Sequence, residues 1–148
     1  MDEMVRHLVS DAGATPKQAA HLRDRMNLAF DGSLVPERKI RKLEPAMCNN
    51  EKDRHVLAAA VAIGAEVVVT FNTRHFPSDD CSDLGVEAID PDEFLLILFN
   101  MNPSGARRVI EEQAGDLRSP PFNVEQLLDA LEVSAPTFVD AVRKFGAA

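Results

Sequence analysis

The chain has 148 residues, 45% of them hydrophobic, which is enough to bury the core of one domain with a small appendage. No stretch approaches the roughly 20 apolar residues of a membrane-spanning helix and no basic segment leads into an apolar one, so the sequence supports neither membrane insertion nor secretion. The formal net charge of −8 argues mildly against tight, non-specific nucleic-acid binding, because affinity for phosphates rests on Lys and Arg. It does not exclude a nuclease, since an acidic metal site adds to the negative charge.

The chain contains two cysteines, Cys48 and Cys81. Neither has a His or Cys partner at the spacing of a zinc site, so we interpret both as structural or incidental. Their number fits a reducing compartment, and we expect a cytoplasmic protein.

Two helices are predicted before residue 31. The first ends near residues 11–13, and the second begins with a capping box between Thr15 and Gln18, with Pro16 at the first helical position. Residues 31–50 contain the turn signal Asp31-Gly32 and two prolines, which predict a loop with one short strand near Leu34 and Val35. The apolar faces consist of Met4, Val5, Leu8 and Val9 in the first helix and Ala19, Leu22, Met26 and Phe30 in the second.

The central unit is a helix over residues 53–63 followed by a strand over residues 66–71. The helix rises about 16 Å and the strand returns about 20 Å, so the outer ends of both elements lie at one edge. Gly64 suits the end of the helix, and the unbroken run at residues 67–69 predicts a strand covered on both faces in an α/β sheet. Because ligands of open α/β sheets bind beyond the carboxyl ends of the strands, Asp53, Thr70 and Asn72 should converge on one rim. Taken alone, an Asp at a helix start is more often a cap than a catalyst.

The remaining chain reads as a polar surface loop over residues 78–83, a strand over residues 86–89, and helices. Asp90 caps a helix with one apolar face, and this helix is the last element of the α/β part. Asn102-Pro103 starts another helix. Pro120 and Pro121 break that helix, and Asn123 caps the next one. A last amphipathic helix follows. The apolar residues expected in these four helices are Phe94, Leu95, Ile97 and Leu98; Val109 and Ile110; Leu127, Leu128 and Leu131; and Val139, Val142 and Phe145.

Residues 53–77, which read DRHVLAAAVAIGAEVVVTFNTRHFP, resemble the central segment of PIN-domain ribonucleases, in particular the VapC-like toxins with an extra helical tail. The resemblance extends more weakly over most of the chain. It implies a PIN-like α/β domain over residues 1–100, with a three-layer parallel-sheet core, and a helical extension over residues 101–148. It also implies a Mg²⁺- or Mn²⁺-dependent endoribonuclease, the toxin of a type II toxin–antitoxin pair.

The family's site residues carry over unevenly. Glu3 matches the family's early-helix Glu, Asp53 matches the Asp that opens the central helix, and Asn72, supported by Thr70, matches the position at the strand end. The family's first Asp, at the end of an opening strand, has no counterpart here. The resemblance therefore implies a core that is incomplete at its N-terminus, and we expect a truncated reading frame in which Met1 is an internal methionine. The alternative is that a second copy or a separately encoded segment fills the gap.

The resemblance assigns roles to these residues. Glu3 and Asp53 would hold the metal ion, because Mg²⁺ prefers carboxylate oxygens and retained waters. Asn72 and Thr70 would orient water on the ion or the scissile phosphate, and Arg54 or Arg74 would position the RNA backbone. The partners implied are RNA, a cognate antitoxin and a second copy in a homodimer. The densest basic patch, residues 38–42, is interpreted with equal weight as an RNA-steering patch or a solvated face.

Histidines are not required by this chemistry. His55 and His75 flank the proposed rim, but for both a structural role is favoured, as a cap or as a hydrogen-bond partner of a neighbouring loop.

Other classes of function are less well supported. No Gly-x-Ser-x-Gly turn and no Gly-x-x-x-x-Gly-Lys loop occurs, which disfavours a serine hydrolase and a P-loop enzyme. The competing hypothesis is a catalytically inactive PIN remnant that acts as a protein-interaction module. Phe99, Phe122 and Phe138 could form its binding surface, although core packing is the expected role of each.

Overall fold

The computed structural model describes residue 10 and residues 15–30, 32–117 and 121–146, without the side chain of Asp80. Glu3 and the apolar face of the first predicted helix lie outside these residues. The described part is mostly helical and contains a small, parallel, two-stranded sheet. The helices are α1 (Pro16–Ala29), α2 (Glu37–Leu43), α3 (Arg54–Ile63), α4 (Ser78–Ser82), α5 (Pro91–Met101), α6 (Pro103–Asp116), α7 (Val124–Glu132) and α8 (Pro136–Gly146); the strands are β1 (Val67–Val69) and β2 (Glu87–Ile89).

The central unit folds as a helix, a tight turn and a strand, as predicted. Helix α3 ends at Gly64, which adopts φ 67° and ψ 35°, a left-handed conformation that favours glycine. Strand β1 pairs in parallel with β2, with Val68 opposite Ala88. Helix α3 packs against α2 and β1 around a core of buried side chains, among them Met47, Leu57, Ala58, Val68, Phe76 and Val86.

Strand β1 is shorter than predicted, and fewer of its side chains are buried than expected. It spans three residues, and the expectation that both of its faces are buried is wrong for the described part of the chain. Val68 is 7% exposed, whereas Val67 and Val69 are 37% and 43% exposed. Because successive strand side chains point to opposite faces, only the Val68 face meets the described core. The sheet is compatible with a fragment of a PIN-like core, and the three-layer arrangement stays a prediction.

Two segments predicted as loops contain helices. Residues 37–43 form α2, with Ile40 and Leu43 packed against the core, and no strand forms at Leu34 and Val35. Pro36 precedes the helix rather than marking a continuous loop, because proline is compatible with a helix start. Residues 78–82 form the short helix α4, whose Cys81 is buried. The Cys48 thiol is exposed.

Helix α1 begins as predicted, but most of its apolar face is not covered by described residues. The Thr15 hydroxyl accepts from the Gln18 N–H at 3.3 Å, and the Gln18 side chain accepts from the Thr15 N–H at 2.9 Å. Ala19 is buried, whereas Leu22, Met26 and Phe30 are exposed. The capping box is a local feature and therefore forms without that packing.

The C-terminal helices share a second core. Helix α5 packs against α6 and α8, and α7 packs against both α6 and α8. Phe99 and Phe138 are buried and meet edge to face with ring centroids 6.2 Å apart, and Phe122 packs against the same core, so all three have the structural role that was expected. The aliphatic residues Ile110, Leu127, Leu128, Val139 and Val142 are buried with them.

Within the described residues, helix α5 therefore makes its main contacts with the helices of the tail. This packing favours a boundary just before Pro91, whereas the sequence favours one near residue 100. Both remain proposals for how the chain divides.

Two charged residues join the C-terminal helices. The Asp92 carboxylate, on α5, accepts from the N–H groups of Thr137 at 3.0 Å and Phe138 at 2.8 Å at the start of α8. On α8, Arg143 contacts three carboxylates of α7, those of Glu125, Asp129 and Glu132. The hydrogen bond that Arg143 donates to Glu132 is the main cause of a raised pKa at Arg143.

No helix in the described part of the chain is long and apolar enough to cross a membrane.

Candidate functional site at a helix start and a strand end

The Asp53 carboxylate is not used to cap its own helix. Asp53 lies between a short 3-10 turn (Glu51–Asp53) and α3, and its side chain makes no capping hydrogen bond. Capping of this segment is done by Asn50, whose side-chain oxygen accepts from the Lys52 N–H at 3.1 Å. The structural alternative for Asp53, a simple helix cap, is therefore not the arrangement observed.

The carboxylate is instead held from the strand side of the unit. Oδ2 of Asp53 lies 2.6 Å from Nδ1 of His75, and both side chains are about three-quarters buried, at 26% and 24% exposure. Because an ionised carboxylate only accepts hydrogen bonds, the His75 ring donates through Nδ1 whether it is neutral or charged. The His75 ring does make a hydrogen bond, but its partner is the proposed metal ligand and not a neighbouring loop as expected.

The turn that carries His75 is fixed by its backbone. His75 closes the 3-10 turn Thr73–His75, and its N–H donates to the Asn72 carbonyl at 2.8 Å. Its own carbonyl accepts from the Asn50 N–H at 3.1 Å and from the Asn49 side-chain amide at 3.3 Å. These bonds connect the residues just before α3 to the turn after β1.

Asn49 is a residue that sequence reasoning missed. It is 2% exposed, and its side-chain oxygen has no hydrogen-bond partner among the described residues. Its backbone carbonyl accepts from Nε of Arg54 at 3.4 Å. The only signal in the sequence was the pair Asn49-Asn50 directly before the helix, which by itself reads as turn chemistry.

Thr70 and Asn72 lie at the carboxyl end of β1, as predicted. The Thr70 N–H donates to the Ile89 carbonyl of the neighbouring strand at 3.0 Å, and the Thr70 hydroxyl accepts from the Asn72 N–H at 3.1 Å. The Asn72 side chain is exposed. A continuous series of hydrogen bonds thus connects Thr70, Asn72, His75 and Asp53, and we call this group the rim.

The proposed RNA-positioning arginines differ in their surroundings. Arg54 is half-buried and held at Nε by Asn49, whereas Arg74 is exposed on the turn that precedes His75. The basic patch at residues 38–42 lies on α2, where Arg41 pairs with Glu37 one turn earlier and Arg38, Lys39 and Lys42 are exposed. Arg54 and Arg74 are each the sequence neighbour of a rim residue, Asp53 and His75 respectively.

The donor chemistry of the rim fits a hard divalent cation. It offers the Asp53 carboxylate, the Asn72 amide oxygen and the Thr70 hydroxyl, and Mg²⁺ binds through one or two carboxylates while keeping several waters. Among the described residues no group of three or more His, Cys, Asp or Glu forms, so a zinc-type cluster is not seen there. Glu3, the second proposed carboxylate, lies outside the described residues.

Comparison with known proteins supports the family resemblance seen in the sequence. A family model described as the VapC50 C-terminal domain matches residues 91–144, which are α5 to α8. A protein of Mycobacterium tuberculosis (strain ATCC 25618 / H37Rv), named "Putative ribonuclease VapC50", is 42% identical over 99 residues. That match covers 67% of this chain and 59% of the relative's length, and no solved structure matches.

The described fold, mostly helical with a small parallel two-stranded sheet, is compatible with a fragment of a PIN-type α/β protein. The two matches support a chain similar to the VapC-like group of the PIN-domain proteins.

Proposed function

We propose that this chain is a Mg²⁺- or Mn²⁺-dependent endoribonuclease of the cytoplasm and the toxin of a type II toxin–antitoxin pair. The observation that carries the proposal is the state of Asp53. Its carboxylate sits at a helix start without capping it and is oriented by a side chain from the adjacent strand end. A structural aspartate has little need of such an arrangement, whereas a metal ligand does.

Asp53 and Glu3 are the metal-holding carboxylates in this proposal. A divalent ion bound there would orient a water for attack on the phosphodiester and neutralise charge on the departing oxygen. Asn72 presents an exposed amide at the strand end, where it can hydrogen-bond the scissile phosphate. Thr70 fixes the backbone of Asn72 through its hydroxyl and so sets where that amide lies.

Substrate binding must overcome a net charge of −8. Arg54 and Arg74 supply positive charge next to the rim, and Lys52 lies one residue before Asp53. Because exposed charges act mainly within about 10 Å at physiological salt, local charge matters more than the total for a backbone phosphate bound at the rim. The RNA substrate, an antitoxin partner and a homodimer follow from the family and are part of the proposal.

The test is cleavage of RNA with Mg²⁺ by the chain, by Asp53→Ala and by a matched control, Asp24→Asn. Asp24 is exposed and pairs with its neighbour Arg23 on α1. We expect Asp53→Ala to lower the cleavage rate by at least about 100-fold, in the range found for single groups that stabilise transition-state charge, with Asp24→Asn unchanged. Cleavage that survives Asp53→Ala contradicts the metal-site assignment.

The competing function is a catalytically inactive interaction module. Leu22 and Met26 on α1 and Phe30 directly after it are exposed, which favours this function, because exposed apolar surface often marks a binding face. Absence of Mg²⁺-dependent cleavage by the unaltered chain, together with a change in oligomeric state or partner binding in Phe30→Ser, would select this function over the nuclease.

A further inference from the structure

His75 is connected to Asp53 by more than one route. The ring holds the Asp53 carboxylate at 2.6 Å, the His75 carbonyl accepts from the Asn50 N–H, and the Asn50 carbonyl accepts from the Asp53 N–H at 2.9 Å. These three bonds close a ring through Asp53, His75 and Asn50. Side-chain and backbone hydrogen bonds thus both fix the position of the carboxylate relative to the strand-end turn.

The bond uses one oxygen of the carboxylate. Oδ2 is engaged by His75, and among the described residues Oδ1 has no hydrogen bond. An unrestrained Asp side chain rotates between staggered states and loses that freedom when it binds an ion. Holding Oδ2 in advance leaves Oδ1 in one orientation, which lowers the entropic cost of ligation.

We propose that His75 is a positioning residue that orients the Asp53 carboxylate for the divalent cation through its Nδ1 hydrogen bond. This inference rests on the proposed function. His75 itself neither binds the ion nor transfers a proton in this assignment. Its contribution is made through Asp53, and the hydrogen bonds that the Asn49 side-chain amide and the Asn50 N–H donate to the His75 carbonyl hold this turn in place.

Asparagine and glutamine provide a matched pair of substitutions at His75. In His75→Asn the amide nitrogen takes the place of Nδ1, whereas in His75→Gln it takes the place of Nε2. The two variants have similar polarity, so only the first keeps a donor where Asp53 needs it. His75→Ala removes the donor entirely, and Thr73→Ala, in the same 3-10 turn, is the control for disturbance of the turn.

Mn²⁺ affinity of the full 148-residue chain is measured by isothermal titration calorimetry, and circular dichroism checks that each variant is folded. We expect His75→Ala and His75→Gln to weaken Mn²⁺ binding about tenfold or more, which is the usual effect of removing the hydrogen-bond partner of a metal ligand. His75→Asn should recover most of the affinity, and Thr73→Ala should leave it unchanged. RNA cleavage at saturating RNA should fall in the same order, with the half-saturating RNA concentration unchanged.

The outcomes separate this inference from the proposed function. Mn²⁺ binding and cleavage in the unaltered chain, with wild-type affinity in His75→Ala, overturn the positioning role and leave the nuclease in place. Equal affinities of His75→Asn and His75→Gln overturn it also, and this pair decides the question if His75→Ala does not fold. Absence of both Mn²⁺ binding and cleavage in the unaltered chain overturns the proposed function and the positioning role together.

Discussion

Replacing Asp92 should destabilise the C-terminal helices, although its side chain is only partly buried. Asp92 lies in the first turn of α5, yet its two carboxylate oxygens accept from the N–H groups of Thr137 and Phe138, far along the chain. These are two of the N–H groups at the start of α8 that have no partner within that helix. Phe138 and the next residue, Val139, belong to the hydrophobic core of the C-terminal helices. The carboxylate thus sets where α8 begins against α5.

The magnitude follows from the bonds that are lost. A side-chain cap of one helix start contributes about 1 kcal/mol, with a range of about 0.5–2, and hydrogen bonds to a charged group contribute about 1.5–3 kcal/mol when buried. The Asp92 carboxylate is only partly buried, so solvent screening places the total for Asp92→Ala near the capping values, about 1–2 kcal/mol at neutral pH. Asp92→Asn keeps one acceptor oxygen and should lose about half of that.

The pH dependence of the stability provides a second, independent test of the role of Asp92. Burial acts to raise the pKa of Asp92, but the hydrogen bonds from Phe138 and Thr137 outweigh it, so the pKa lies below its ordinary value. A lowered folded-state pKa stabilises the protein above the unfolded value of about 3.9, and this contribution is lost as the pH falls through the folded value. The difference between the unaltered chain and Asp92→Ala should therefore shrink below about pH 4.

Urea unfolding followed by circular dichroism measures both effects, at neutral pH and near pH 3. The control is Glu93→Ala, the neighbouring acid in the same first turn, which is exposed. An Asp92→Ala midpoint equal to that of Glu93→Ala, or a loss of stability of the same size at both pH values, would refute the reasoning.

Gly64→Ala should cost about 1 kcal/mol of stability, because the residue has φ 67° and the added Cβ has nothing within 4 Å, so the cost is conformational. Thermal unfolding tests this against Gly115→Ala, inside α6, which should be neutral or stabilising; equal melting points would contradict it. Arg74→Ala should weaken RNA binding and lower the salt slope of log K by about 0.7 for a single phosphate contact. Fluorescence anisotropy at several salt concentrations measures this, with Arg108→Ala on α6 as control, and an unaltered slope would count against Arg74 as a phosphate ligand.

Features set by neighbouring residues could be predicted from the sequence. The capping box of Thr15 and Gln18, the cap of Asn123 on Gln126 and the cap of Asp90 on Asp92 are all present. Each depends on residues two or three positions apart, so the sequence contains the whole interaction. The apolar run at residues 67–69 indicated a strand of an α/β sheet, and the parallel arrangement of the sheet was implied by the family resemblance.

Interactions between distant segments could not be predicted in the same way. The bond between Asp53 and His75 joins residues 22 positions apart, and the bonds of Asp92 reach 45 and 46 positions along the chain. The sequence shows the chemistry of each side chain, but its hydrogen-bond partner depends on how the loops bring distant segments together. For α2, the loop prediction rests on a turn signal and two prolines, whereas Ile40 and Leu43 have the spacing of a helix face and pack against the core.

The two interpretations of Asp53, cap and metal ligand, are separated by its neighbour three residues earlier. Asn50 takes the capping role with its neutral amide oxygen, which accepts from the Lys52 N–H. A neutral cap does not repel the Asp53 carboxylate, whereas a second carboxylate at that position would add a like charge close to it. The Asp53 carboxylate is then free of capping duty and is oriented by His75. This arrangement is consistent with the proposed role of Asp53 as a metal ligand.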